Sequence, residues 1–368
     1  MRIGLITSDL STSNGWATYS LNLLRELQAR GIEATVVCAR NSPSVDFAIH
    51  PILPTVTPPE RHTFLKSMRQ LARVRHLLRG CDLVHCTAEP YAILAAAAAG
   101  GRPLIVTAHG SYVNLPRMRR FPIGYLYRRA FESARLICVS RYTAAVAQAL
   151  MPQAKVQVIN NGVDVTRFLD PPALRVEKHG PTVLTSGGIK ARKGTLQLVE
   201  AMAAVRERLP QAQCLIMGHP QPGSAYTSAV ERRIDELGLR DNVRIMGFVE
   251  DEMLRAWLAA ADVYALPAMN DGSWFEGFGL ALIEAGAAGT AVVGTDGCGV
   301  ADAIEHGVTG LIVSQEEIEE ALPRALLRLL ENPQEAAAMG AAGRRRAQRQ
   351  TWASVADRVI GLYQAALQ

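Results

Sequence analysis

The chain of 368 residues is too long for one ordinary hydrophobic core and fits two domains of about 170 to 200 residues. Its 49% hydrophobic and 20% charged residues are typical of a globular protein and exclude general disorder. The net charge of +5 conceals a basic first half, because residues 1–170 hold 20 Lys and Arg against 10 Asp and Glu, whereas the remainder holds 19 against 24.

The beginning of the chain predicts a buried strand rather than a secretory signal. Residues 1–7 are mostly apolar and no small-residue cleavage site follows them. The most apolar stretch, residues 91–99, is far shorter than the roughly 20 residues of a membrane-spanning helix. We therefore expect a cytoplasmic protein, either soluble or peripheral on the inner face of the membrane.

Short β-branched and apolar runs alternate with longer amphipathic segments along the whole chain. This alternation predicts parallel sheets, and two successive series of strands predict two Rossmann-like α/β domains. Helical patterns include residues 17–30 and 61–79, and an amphipathic helix is expected over residues 351–367. Strands are expected near residues 2–7, 33–38, 47–53, 83–87, 104–107, 136–140, 156–160, 182–186, 213–217, 243–246, 262–266, 291–294 and 311–313.

Turn-forming residues mark a boundary between the two series. Residues 160–164 have turn chemistry, and prolines at 171, 172 and 181 punctuate the segment that follows. We expect an N-terminal domain over residues 1–165 and a C-terminal domain over residues 166–350. The helix over residues 351–368 could pack on either domain, including a return to the N-terminal one.

The six cysteines are scattered, and several lie in apolar strand-like runs, which favours buried, reduced thiols. Cys81 and Cys86 with His85 could suggest a metal site. However, His85 and Cys86 are neighbours at a strand, where adjacent side chains point to opposite faces. No metal site is predicted.

Two basic stretches in the first half have two interpretations each. They could hold the protein on anionic lipid headgroups, or they could be solvated faces of packed helices. Nucleic acid is a poor partner because no zinc-finger, RNP or helix-turn-helix signature accompanies them. The first stretch, residues 61–79, places Lys66, Arg69 and Arg73 opposite Phe64, Met68, Leu71 and Leu78, and the second interleaves Arg117, Arg119, Arg120, Arg128 and Arg129 with Phe121, Tyr125 and Tyr127.

Cations and glycines occur together in residues 185–195, where a strand end leads into a helix. Lys190, Arg192 and Lys193 stand beside Gly187, Gly188 and Gly194. Positive side chains at a helix start suit a diphosphate. The alternative is a loop with three solvated charges.

Two glutamates frame the segment that follows the strand at residues 262–266. A helix is expected from about Phe278, with Glu276 just before it and Glu284 two turns inside, about 12 Å away along the axis. A nucleotide sugar along this helix start could meet one carboxylate at its sugar and the other at its ribose. The alternative is a capping Glu276 and a solvated Glu284. Amides free to bind a diphosphate would belong to Gly277, Phe278, Gly279 and Leu280.

This segment resembles glycosyltransferase family 4, whose members are retaining enzymes of the GT-B fold. The Glu-x7-Glu signature of the family matches residues 276–284, and residues 285–296 and 306–313 also match. The resemblance covers nearly the whole chain. It implies two Rossmann-like domains facing across a cleft, the N-terminal one for the acceptor and the C-terminal one for the nucleotide-sugar donor. It also implies that Glu276 contacts the donor sugar and Glu284 the ribose hydroxyls.

The resemblance assigns further residues to the site. The family's glycine-rich turn after the first strand is represented by Gly15 in the donor site, and its histidine near the donor sugar matches His109. Lys193 matches the cation of a Lys-Gly pair, but Gly188 stands where the family has an arginine. Arg192 or Lys190 is expected to supply that charge. The implied catalytic residues are Glu276, His109, Lys193 and Arg192, and the implied donor-binding residues are Gly15, Lys190, Gly277, Phe278, Gly279, Leu280 and Glu284.

These observations predict a retaining hexosyltransferase that uses a UDP- or GDP-linked sugar and a saccharide, lipid-linked or small-molecule acceptor. No cofactor and no metal are expected, since the sequence has no Asp-x-Asp motif. Three alternatives stay open: a nucleotide-sugar epimerase, a sugar phosphorylase, and a two-domain sugar-binding module without enzymatic activity.

Overall fold

The structure is a computed structural model that describes residues 1–12, 14–169, 173–218 and 223–368. It divides into two compact units. The N-terminal unit contains Met1–Asn161 and Trp352–Gln368, and the C-terminal unit contains Gly162–Thr351. Ser13 of the Gly15 turn and the predicted linker residues 170–172 lie outside the described residues.

The N-terminal unit is built on a seven-stranded parallel sheet in the order β3-β2-β1-β4-β5-β6-β7. Its central strands are buried on both faces, as expected for a parallel sheet covered by helices. The strands are β1 (Arg2–Ile6), β2 (Glu33–Ala39), β3 (Ile49–Leu53), β4 (Leu83–Cys86), β5 (Leu104–Ala108), β6 (Arg135–Cys138) and β7 (Lys155–Val158). The helices are α1 (Gly15–Ala29), α2 (Thr63–Met68), α3 (Leu71–Leu77), α4 (Ala92–Ala99), α5 (Leu115–Met118), α6 (Ile123–Glu132) and α7 (Arg141–Leu150).

The C-terminal unit repeats this architecture with a six-stranded parallel sheet in the order β10-β9-β8-β11-β12-β13. The strands are β8 (Thr182–Ser186), β9 (Gln213–Met217), β10 (Val243–Gly247), β11 (Val263–Leu266), β12 (Ala291–Thr295) and β13 (Gly310–Val313). The helices are α8 (Thr166–Leu169), α9 (Thr195–Arg208), α10 (Ala225–Glu236), α11 (Asp251–Ala260), α12 (Leu280–Ala288), α13 (Ile318–Glu331) and α14 (Pro333–Ala347).

The last helix, α15 (Trp352–Leu367), belongs to the N-terminal unit. Arg30 at the end of α1 donates a hydrogen bond to Asp357 over 2.8 Å, and the buried hydroxyl of Tyr363 hydrogen-bonds with Nδ1 of His85 over 2.6 Å. Nε2 of His85 hydrogen-bonds with Thr107 over 2.8 Å. Both ring nitrogens are therefore used within the core, and His85 has a structural role.

All thirteen predicted strands are present, but two details of the basic stretches were wrong. Residues 61–79 form two short helices rather than one. Between them, the Gln70 amide donates to the Ser67 carbonyl, and the Ser67 hydroxyl donates to the Phe64 carbonyl. Tyr127 does not join the exposed cluster. It is buried, and its hydroxyl donates to the Pro90 carbonyl over 2.8 Å.

The strand order reverses between β1 and β4 in the N-terminal sheet and between β8 and β11 in the C-terminal sheet. Ligands of open parallel sheets bind beyond the carboxyl ends of the strands at such reversals. The loops that follow β1, β4, β8 and β11 are consequently the candidate functional loops. No helix among the described residues is long and apolar enough to cross a bilayer.

Candidate active site

The loop after β8 carries two of the predicted cations on a short 3₁₀ turn, Ala191–Lys193. Gly194 ends this turn in the left-handed conformation at φ 66°, and a Cβ atom there would lie 1.7 Å from the carbonyl oxygen of Pro267. Only glycine allows this approach to the loop after β11. The Met269 amide also donates to the Arg192 carbonyl over 3.2 Å. The two loops are thus joined through their backbones.

The carboxylate of Glu276 lies between the two cations. Its Oε2 accepts a hydrogen bond from Nη1 of Arg192 and lies 3.0 Å from Nζ of Lys193. The Glu276 side chain is 12% exposed, so solvent screens these contacts only weakly. Arg192 and Lys193 were predicted from one motif and Glu276 from another. The three residues form one cluster, here called the Glu276 cluster.

The Glu276 cluster fixes the charge of its carboxylate. Burial alone would raise the pKa of Glu276, but the charges of Lys193 and Arg192 and their hydrogen bonds lower it to about 2. Glu276 is consequently an anion at neutral pH that accepts hydrogen bonds and cannot donate a proton. Burial acts to lower the pKa of Lys193, and Glu276 opposes this effect.

Lys190 stands apart from the Glu276 cluster. It precedes the 3₁₀ turn, is exposed, and forms no ion pair with any residue that the structure describes. Burial lowers the pKa of Lys190, and the positive charges of Arg192 and Lys193 lower it further. Of the two cations considered as replacements for the arginine missing at Gly188, Arg192 is the one in contact with Glu276.

The helix after Glu276 begins later than predicted. Gly279 precedes α12 in the left-handed conformation at φ 86°, so the first helical residue is Leu280 and not Phe278. Gly277 and Phe278 lie outside the helix, and Phe278 is buried. The 12 Å axial spacing between Glu276 and Glu284 was therefore wrong as an estimate, since four residues before Leu280 are not helical.

Glu284 has a partner that the sequence analysis missed. It lies in α12 with its side chain 25% exposed, and its Oε1 is 3.9 Å from Nη1 of Arg167. Arg167 in α8 also pairs with Asp251. Burial raises the pKa of Glu284 to about 7, Arg167 counteracts this rise, and Asp251 adds to it. Glu284 can thus bind or release a proton near neutral pH.

His109 and Gly15 lie in the N-terminal unit. His109 follows β5, and its ring packs edge-on against Tyr19 with 4.7 Å between ring centroids. Burial lowers the pKa of His109 to about 3, although a hydrogen bond with the Thr87 backbone opposes the change. The imidazole is therefore neutral, and its buried Nε2 has no hydrogen-bond partner within the described parts of the chain.

Gly15 is the first residue of α1, whose start is capped by the Asn14 side chain accepting from the Ala17 amide over 3.1 Å. The next residue, Trp16, donates its indole N–H to Glu89 over 2.6 Å. Glu89 is a fully buried carboxylate that the sequence analysis also missed. Its position in the loop after β4, at the strand-order reversal, is the signal that could have identified it.

Two family models match this chain. "Glycosyltransferase Family 4" matches residues 13–167, and "Glycosyl transferases group 1" matches residues 167–346. Together they cover both units.

Two curated relatives illustrate the similarity at the sequence level. A GDP-mannose-dependent alpha-(1-6)-phosphatidylinositol monomannoside mannosyltransferase of Mycobacterium tuberculosis is 32% identical over 74% of this chain and 73% of its own length. A GDP-mannose-dependent monoacylated alpha-(1-6)-phosphatidylinositol monomannoside mannosyltransferase of Corynebacterium glutamicum is 31% identical over 76% and 74%, respectively.

Solved structures share the fold over the whole chain. Sucrose-phosphate synthase from Thermosynechococcus elongatus has a TM-score of 0.82 at 23% identity and covers 99% of this chain and 98% of its own. Anabaena HepE in complex with UDP and glucose has a TM-score of 0.77 at 19% identity and covers 99% of both. With these GT-B neighbours, with family models on both units and with relatives above 30% identity over 74% of its length, the chain belongs to glycosyltransferase family 4.

Proposed function

We propose that this protein transfers a mannosyl group from GDP-mannose to a lipid-linked inositol glycoside with retention of the anomeric configuration. The observation that carries the proposal is the Glu276 cluster at the carboxyl ends of β8 and β11, where two cations flank one carboxylate. The choice of donor and acceptor follows the names of the two relatives. Their products are named as alpha-linked, and the anomeric bond of GDP-mannose is also alpha, which favours retention.

The charges of the Glu276 cluster suit the departure of a nucleoside diphosphate. Negative charge develops on the phosphate as the bond to the sugar breaks, and Lys193 and Arg192 are preorganised to stabilise it. Because these residues supply the positive charge, we propose that transfer needs no divalent metal. Glu276, held as an anion, would accept hydrogen bonds from sugar hydroxyls. Glu284 would accept hydrogen bonds from the ribose hydroxyls.

The direct test is an assay with GDP-mannose, UDP-glucose and a phosphatidylinositol mannoside acceptor. We expect GDP release that depends on the acceptor, persists with a chelator present, and yields an alpha linkage by NMR. GDP should also raise the melting temperature more than UDP, since a ligand of the folded state stabilises it by mass action. A changed nucleotide sugar without acceptor would indicate an epimerase, phosphate-dependent cleavage a phosphorylase, and binding without GDP release a sugar-binding module.

The cation loop provides a graded series of variants. Lys193→Ala and Arg192→Ala should each lose about 2–4 kcal/mol of transition-state stabilisation, roughly 30- to 1,000-fold in kcat/KM, because each removes a preorganised donor. Lys190→Ala should raise KM with little loss of kcat, since Lys190 does not contact Glu276.

Melting temperatures serve as the folding control for this series. Removal of either cation leaves the buried carboxylate of Glu276 with only one cation, which lowers the stability of the fold. Steady-state kinetics of folded variants decide the outcome. If Lys190→Ala has the lowest kcat of the three, the diphosphate approaches from the Gly188 side of the loop and the assignment of Arg192 is wrong.

The titration of Glu284 gives a pH signature for nucleotide binding. Since the pKa of Glu284 is about 7 without ligand, ribose hydroxyls that prefer the carboxylate should bind more tightly as pH rises from about 6 to 8. The rise is at most about tenfold per pH unit. Glu284→Gln should bind GDP-mannose about 1.5–3 kcal/mol more weakly and lose this pH dependence. Calorimetry measures both, and equal affinity and equal pH dependence in the variant would remove Glu284 from the site.

An exposed surface on the N-terminal unit supports a lipid-linked acceptor. Phe121 is 85% exposed, and Tyr125 and Leu126 are exposed beside it. Five arginines surround these side chains, and all five are exposed. We propose that this surface rests on anionic lipid. Each basic stretch has a cation in an ion pair, Arg128 with Glu132 over 2.9 Å and Lys66 with Glu60 over 2.6 Å. The stretch over residues 61–79 is the weaker candidate because its Phe64 is only partly exposed. The five arginines are Arg117, Arg119, Arg120, Arg128 and Arg129.

Vesicle sedimentation tests this surface. We expect the protein to bind phosphatidylcholine vesicles that contain phosphatidylinositol, and to dissociate as salt rises above physiological strength. The double variant Arg119→Ala/Arg120→Ala should lose about 2 kcal/mol of binding free energy, since each cation near an anionic surface contributes about 1 kcal/mol. Arg208→Ala/Arg240→Ala, which removes two exposed arginines of the C-terminal unit, is the matched control and should bind normally. Equal binding to neutral vesicles would contradict the proposal.

A further inference from the structure

Glu89 joins three segments at the carboxyl end of the N-terminal sheet. It begins the 3₁₀ turn Glu89–Tyr91 after β4, and its side chain reaches the first turn of α1 and the loop after β5. One carboxylate oxygen accepts the indole N–H of Trp16 and the other accepts the backbone N–H of His109, each over 2.6 Å. These two segments carry Gly15 and His109.

The chemistry of this contact is unusual for a fold-stabilising one. Glu89 is fully buried, both donors are neutral, and no cation pairs with it in the described parts of the chain. An isolated buried carboxylate is costly for the free energy of folding, and ionisable groups of this kind concentrate at functional sites. Burial raises the pKa of Glu89 to about 7, although its hydrogen-bond donors counteract the rise.

The contact leaves Nε2 of the His109 imidazole without a partner among the described residues. Glu89 contacts the backbone of His109 and not its ring, while Tyr19 packs against the ring from the side. On the other side of the contact, Trp16 packs on Tyr112 with 4.7 Å between ring centroids, which links the α1 start to the 3₁₀ turn after His109.

We propose that Glu89 is a positioning residue for glycosyl transfer, which fixes the Gly15–Trp16 turn and the His109 backbone in one arrangement. Glu89 is fully buried and does not itself touch a substrate. The inference rests on the proposed transferase function, because its consequence is a change in turnover. Most of the predicted donor contacts belong to Glu284 and the Glu276 cluster in the C-terminal unit, and among them only Gly15 lies beside this contact, so turnover should change more than donor binding.

Two variants weaken the same contact from opposite sides. Glu89→Gln replaces one acceptor oxygen by an amide that faces an N–H donor, and Trp16→Phe removes the indole N–H while keeping an aromatic ring on Tyr112. Each should reduce kcat at least tenfold and leave the Kd for GDP within twofold of the unchanged protein. In the double variant the loss should be smaller than the product of the two single losses, since both remove one shared interaction.

Tyr127→Phe is the matched control. It removes a buried hydrogen bond to the Pro90 carbonyl, one residue beyond Glu89 in the same turn, without touching the Glu89 carboxylate. It should lower the melting temperature but leave kcat unchanged.

The outcomes separate this inference from the proposed function. Normal kcat in Glu89→Gln or in Trp16→Phe, independent losses in the double variant, or an equal loss of kcat in Tyr127→Phe would overturn the role of Glu89 alone. An unchanged protein that binds GDP but transfers no sugar to any acceptor would overturn the proposed function, and the positioning role with it. If Glu89→Gln does not fold, the comparison of Trp16→Phe with Tyr127→Phe still decides the matter.

Discussion

The C-terminal unit depends on one electrostatic constraint, the need to neutralise a buried carboxylate at Glu276. Lys193 and Arg192 meet that need from a loop more than 80 positions earlier in the chain. The pairing of β8 with β11 places the two loops side by side, and the close approach of Gly194 to Pro267 holds them there. Loss of either cation would leave a buried charge with fewer partners, which is strongly destabilising.

The sequence was informative where structure depends on local pattern. Buried parallel strands appear as short apolar runs, so all thirteen strands could be predicted. Glu276 and Lys193 each lie in a local motif, and they were found for that reason. Arg167 and Glu89 were missed because their importance arises from partners more than 70 positions away or across three segments. The predicted start of α12 was wrong because Gly279 adopts a left-handed conformation, which the spacing of apolar residues in the sequence does not indicate.

Three carboxylates, of which Glu276 and Glu89 are buried and Glu284 is partly exposed, illustrate how the surroundings of one chemical group set its charge. Glu276 is ionised because two cations outweigh its burial, so it acts as a permanent acceptor. Glu284 has a single cation, Arg167, at the longer distance of 3.9 Å. Because its pKa is about 7, a bound ligand can change its protonation state near neutral pH. Glu89 has only neutral donors, and its two oxygens are occupied by neighbouring segments. The number and distance of the cations thus distinguish a carboxylate that is always charged from two whose pKa values lie near 7.

Charge balance also explains why a third cation lies near the Glu276 cluster. Two cations and one carboxylate leave a single net positive charge before the donor binds. A nucleotide-sugar diphosphate brings two negative charges, so the occupied cluster would become negative without help. The first amides of α12 supply a partial positive charge at the helix start. Lys190 is the remaining cation near Arg192 and Lys193, and burial, followed by repulsion from these two cations, lowers its pKa before the donor arrives. A bound diphosphate would offset this repulsion, and we therefore propose that Lys190 contributes to donor binding while Arg192 and Lys193 act on the departing phosphate.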